Sequence, residues 1–81
     1  MTEHYYKEPS HNEIVMGFVA SCIESVAQHL DIPYIEAFNR MDKVGMLDKY
    51  IVPCYASLHT ESRENLTLSL IETLNRWENG N

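Results

Sequence analysis

The segment from Ile14 to Leu30 limits the possible folds more than any other part of the chain. Its apolar residues recur at every fourth position in two interleaved rows: Ile14, Phe18, Cys22, Val26, Leu30 and Val15, Val19, Ile23, Ala27. At about 100° per residue the rows cover roughly 200° of a helix surface, about twice the stripe of an ordinary surface helix. A helix with so wide an apolar face needs neighbours on several sides. The segment is therefore expected to be the central helix, from about His11 to Leu30, of an all-α bundle of about four helices. Glu24, Gln28, His29, Ser21 and Ser25 interrupt it, which argues against a membrane span of about 20 apolar residues.

The flanking signals agree with helices and offer no strand. Ser10 followed by Glu13 reads as a capping box. Asp31-Ile32-Pro33 ends the first helix and opens a second over about Pro33 to Lys43, with Ile35, Phe38 and Met41 expected to point inward. Gly45 reads as its left-handed C-terminal cap. A further stripe, Leu47, Ile51, Cys54 and Leu58, has Pro53 inside it, so this stretch either kinks or divides into a short turn and a helix; division is favoured. Thr60 or Ser62 caps a last helix that buries Leu66, Leu70, Leu74 and Trp77 and runs to about Glu78, leaving Leu68 outside the stripe. Residues 1–9 are expected to be a flexible polar arm and residues 10–79 a single helical domain. A chain of 81 residues buries only about 60–65% of the surface it exposes when unfolded, so association is a common source of extra stability.

Charge narrows the partners. The net charge is −6, and no Lys or Arg lies between Lys7 and Arg40, where Glu8, Glu13, Glu24, Asp31 and Glu36 all fall. Nucleic acids and anionic membranes are bound through cations that neutralise phosphates, so neither is an expected partner. A DNA-binding helix-turn-helix would have only Arg40, Lys43, Lys49 and Arg63 for a basic face. A basic protein surface suits this field. The N-terminal residues lack the basic-then-apolar layout of a signal peptide, and Cys22 and Cys54 form no C-x-x-C pair. A cytoplasmic protein with two reduced core cysteines is expected, the alternative being a single Cys22–Cys54 bridge.

No set of residues assembles a reaction. Cys22 and His29, or Cys54 and His59, are spaced wrongly for a shared zinc ion, and there is no phosphate loop, nucleophile elbow or H-E-x-x-H. No metal, no cofactor and no catalytic residue is expected, and the chain is read as a non-enzyme. Two interaction candidates remain. Gly17, Ser21 and Ser25 form a row of small residues on the first helix, either a thin solvated strip or a groove for a partner or a second copy. Tyr55 and His59 share a face one helical turn apart, near a helix C-terminus that favours a ring N–H on an orphan carbonyl. His59 is then either a helix-end partner or a functional group beside Tyr55.

The runs Phe18-Val19-Ala20-Ser21-Cys22-Ile23-Glu24 and Tyr50-Ile51-x-Pro53-x-Tyr55-x-x-Leu58-His59-Thr60 resemble a small bacterial helical family of unknown function with a Y-x-x-L-H-T motif. The resemblance spans about Ile14 to Leu74. Members of that family are often encoded beside a protein resembling ADP-ribosyltransferase-type toxins, which implies an antitoxin-like partner subunit. The matching positions are Cys22, Glu24, Tyr55, Leu58, His59 and Thr60. The chain departs from the pattern in its longer polar arm and in Glu61-Ser62, where a glycine-containing turn is usual. The expected function is a protein-interaction module for a basic partner, with a homodimer through Gly17, Ser21 and Ser25 as a further expectation. The alternative is a small-ligand binder or enzyme using His59, Tyr55 and Glu24.

Overall fold

The structure, a computed structural model, describes residues 10–80. The arm expected over residues 1–9 lies outside the described residues. Four α-helices and one π-helical turn make up the fold, and the described residues contain no strand: α1 His11–Leu30, α2 Tyr34–Lys43, the π turn Leu47–Ile51, α3 Tyr55–Leu58 and α4 Arg63–Glu78.

α1 is the hub. Its start is the reciprocal cap that the S-x-x-E spacing predicts: Ser10 Oγ accepts from the Glu13 amide at 3.2 Å, and Glu13 Oε1 accepts from the Ser10 amide at 2.8 Å. Val15, Val19, Cys22, Ile23, Val26 and Ala27 are buried along it, between α2 on one side and α4 on the other. It ends where Asp31 turns left-handed, with φ 57°, and the Ile32 amide donates to the Ala27 carbonyl at 3.0 Å. Asp is among the few non-glycine residues that tolerate this region. Pro33 then caps α2, which starts at Tyr34, one residue later than expected, and the Pro33 carbonyl accepts from the Glu36 and Ala37 amides. No described helix is long and apolar enough to cross a membrane.

α2 corrects one expectation. Ala37 and Met41 are fully buried, whereas Ile35 is 61% exposed. At about 100° per residue Ile35 sits roughly 140° from the centre of the face that those two residues define. Phe38, nearer that face, is half-buried. Gly45 follows α2 with φ 79°, the left-handed cap its sequence position predicts. At the far end of the fold Arg40 holds Glu78 with two hydrogen bonds, 2.8 and 2.7 Å, tying α2 to the last turn of α4.

Pro53 divides the Leu47–Leu58 stretch as expected. Proline has no amide to donate to the carbonyl four residues back, so a regular α ladder cannot continue through it. The chain widens just before it, and the Val52 amide reaches five residues back to the Leu47 carbonyl at 3.1 Å. This wider turn keeps both Leu47 and Ile51 in the core. α3 begins at Tyr55 and buries Leu58. Ser62, not Thr60, is the N-cap of α4, accepting from the Asn65 amide at 3.2 Å. Leu66, Leu70 and Leu74 close the core against α1, with Trp77 partly buried beside Tyr50 and Leu68 left 47% exposed.

Candidate functional site

Tyr55 and His59 are brought together at the base of α1. Their rings lie nearly parallel, 7° apart, with centroids at 4.4 Å. Tyr55 also meets Phe18 and His11 of α1 edge-on, at 5.2 and 5.9 Å. His59 Nδ1 lies 2.8 Å from the Tyr55 carbonyl. A carbonyl only accepts, so Nδ1 carries the proton, and the ring serves the end of α3 as the sequence suggests. Thr60 Oγ1 donates to the Ser57 carbonyl at 2.8 Å and finishes the same turn. Motif residues Tyr55, His59 and Thr60 are thus bound to their own helix end.

Glu24 does not join them. It is exposed on α1, six residues beyond Phe18. That is about 9 Å along the helix and roughly 240° around it from the face touching Tyr55. The two clefts described below contain none of Glu24, Tyr55 and His59.

The small-residue row has an occupant from within the chain. Arg63, the first residue of α4, lays its guanidinium across the row, with Nη2 donating to Ser21 Oγ at 3.3 Å and Nη1 to Ser25 Oγ at 3.2 Å. Ser21 in turn donates to the Phe18 carbonyl at 2.7 Å. Above Gly17 there is open space: a Cβ placed there would meet nothing within 4 Å. The same guanidinium acts on Cys22 beneath it. Burial raises that thiol from 9.0 to about 11, and the charge and hydrogen bond of Arg63 hold it lower than burial alone would. Cys22 and Cys54 are both free thiols.

Two open clefts flank α1. One, of about 330 Å³, lies between Ser25, Gln28 and His29 of α1 and Arg63, Glu64, Thr67 and Leu68 of α4; its walls mix both charges with neutral groups. The other, of about 320 Å³, is a predominantly apolar groove. Met16, Val19, Ala20 and Ile23 of α1 form one wall, Tyr34 and Phe38 of α2 the other, and Leu47 and Val52 close the end. Met16, Tyr34 and Val52 are 52, 45 and 38% exposed, unusually open for side chains of their size. Asp42 and Asp48 stand on its rim. Sequence patterning did not single out this groove, although its cause is visible there. The apolar arc of α1 is wider than α2 and α4 together cover, and Met16 and Ala20 extend it by a third row.

A model of the protein family described as "Protein of unknown function (DUF3791)" matches residues 17–77, which take in α2, α3, the π turn, the groove apart from Met16, and most of α1 and α4. No curated protein and no solved structure matches the chain.

Proposed function

The chain belongs to the DUF3791 family of proteins of unknown function, and we propose that it is a protein-interaction module that docks a basic partner protein. The observation that carries this reading is the open apolar groove rimmed by Asp42 and Asp48. A contiguous apolar surface left uncovered on a domain this small is a docking feature, and the acidic rim sets the sign of what docks. The net charge of −6 extends the same preference over the molecule. Arg40 pairs with Glu78 and Arg63 rests on two serines, while the exposed Lys43 and Lys49 adjoin the rim acids in sequence; the groove itself is lined by Asp42 and Asp48 and by neither lysine.

The finer form of the proposal is an antitoxin-like cytoplasmic subunit whose partner is a toxin-like protein encoded beside it. Its support is the resemblance carried by the F-x-x-x-C-I-E and Y-x-x-L-H-T runs. We assign the chain no reaction, no nucleic acid and no membrane surface. Binding or catalysis by Tyr55, His59 and Glu24 draws no support from either cleft, since neither is lined by any of the three. A homodimer through the Gly17 row would have to displace Arg63 or use Gly17 alone; sedimentation as a monomer would dispose of it.

The test is co-expression with the neighbouring gene product and purification at low salt. Co-purification that weakens as salt rises is the expected result, because a charge-guided contact is screened. Absence of any complex at low salt would count against the antitoxin-like form. A complex that forms equally well at high salt and survives Asp42→Lys would count against the acidic rim.

A further inference from the structure

Building on that reading, we infer that the element taken by the groove is a single amphipathic α-helix of the partner, with Lys or Arg side chains meeting Asp42 and Asp48. The groove walls are themselves helical stripes. Met16, Ala20 and Ile23 run along α1, and Tyr34, Phe38 and Asp42 run along α2. Each stripe is about two turns, or 10–12 Å, long. The notch between two packed helices is where a third helix seats at ordinary interaxial distance, and its side chains at i, i+4 and i+7 repeat at the spacing of those walls.

Other occupants fit less well. A segment added as a β-strand would need a sheet edge for its amides and carbonyls, and the described residues contain no strand. A second copy packed symmetrically through this face would bring both pairs of rim carboxylates into one interface, between two chains each carrying −6. A foreign basic helix meets neither obstacle, and Met16 at the lip can adjust its flexible side chain to the anchors it receives.

The test selects random 16-residue peptides, displayed on phage, against the full chain at low salt. Enriched sequences are then synthesised and titrated by fluorescence anisotropy, with helicity followed by circular dichroism. The expected winners are net positive, space their apolar residues at i, i+4 and i+7, and gain helicity on binding. Ala20→Gln, which fills the groove from an exposed helix position, should weaken binding by about tenfold or more, and Asp42→Lys with Asp48→Lys by a similar factor. Leu68→Gln, in the other cleft, should leave affinity unchanged, and thermal melts confirm that each variant folds. Basic peptides that bind with proline inside, or without gaining helix, overturn the helical occupant and leave the basic-partner reading standing. Affinity untouched by Ala20→Gln overturns the groove as the seat. Winners that are acidic or neutral, and indifferent to the rim substitutions, overturn both.

Discussion

Arg63 reaches back across 38 and 42 residues of sequence to Ser25 and Ser21. It thereby puts a cation on a helix that has none of its own between Lys7 and Arg40. The row of small residues was legible in the sequence, but its occupant was not. Periodicity reports which residues share a face of one helix and carries no information about which distant side chain crosses it. Beneath the guanidinium, Cys22 is protonated up to about pH 11 in the folded protein, against 9.0 for an ordinary thiol. The folded state thus holds a proton that the unfolded state releases first, so stability is full below about pH 9 and falls as pH rises toward 11. Cys22→Ala should flatten that part of the pH–stability curve relative to the unmodified chain, as measured by urea unfolding at fixed pH values. A drop of the same size in both proteins would show that other groups cause it.

At the scale of elements, α1, α2 and α4 were legible because each carries its own local signals. Ser10-x-x-Glu13, Asp31-Ile32-Pro33, Gly45 and the leucine stripe Leu66-Leu70-Leu74 act within a few residues of the boundary or face they define. The stretch around Pro53 was legible only as a division. Whether the chain before a proline widens to a π turn depends on what Leu47 and Ile51 pack against. Likewise, Thr60 and Ser62 were equivalent as caps until the structure gave Thr60 to α3 and Ser62 to α4. Ser62→Ala should therefore cost about 1 kcal/mol of stability. Thr60→Ala should cost less, because its hydroxyl donates to an exposed turn; equal losses in chemical denaturation would contradict this assignment. The α2–α4 tie makes a separate prediction. Its hydrogen bonds from Arg40 are the main cause that lowers the Glu78 pKa below the ordinary 4.5. The contribution is present above that ordinary value and is lost as pH falls through the depressed one. Glu78→Gln should remove it near neutral pH and make little difference in acid. Both side chains are about one-third exposed, so solvent screening holds the loss to under about 1 kcal/mol.

For the whole molecule, the all-α class and the central place of α1 followed from a single apolar arc, whereas the groove did not. Locating it requires knowing how much of that arc α2 and α4 leave uncovered, and only the packed arrangement supplies this. The same shortfall of cover links function to stability. A chain of 81 residues has about 4–12 kcal/mol of folding free energy, at about 0.05–0.15 kcal/mol per residue, so a partner that binds only the folded form adds a substantial fraction of the total. At a partner concentration about 100 times Kd the gain is about 2.7 kcal/mol. In a domain of this size each kcal/mol moves Tm by roughly 4–8 °C. The isolated chain should therefore melt at least about 10 °C below the complex with a co-purified basic partner. The shift should shrink as added salt screens Asp42 and Asp48, because part of the binding energy rests on their charge. Ala20→Gln separates the two contributions: it leaves the rim intact, so any shift it abolishes belongs to the apolar groove, and the salt-sensitive remainder belongs to the rim. A shift of the same size with the groove filled and the rim reversed would place the partner on another face of the molecule.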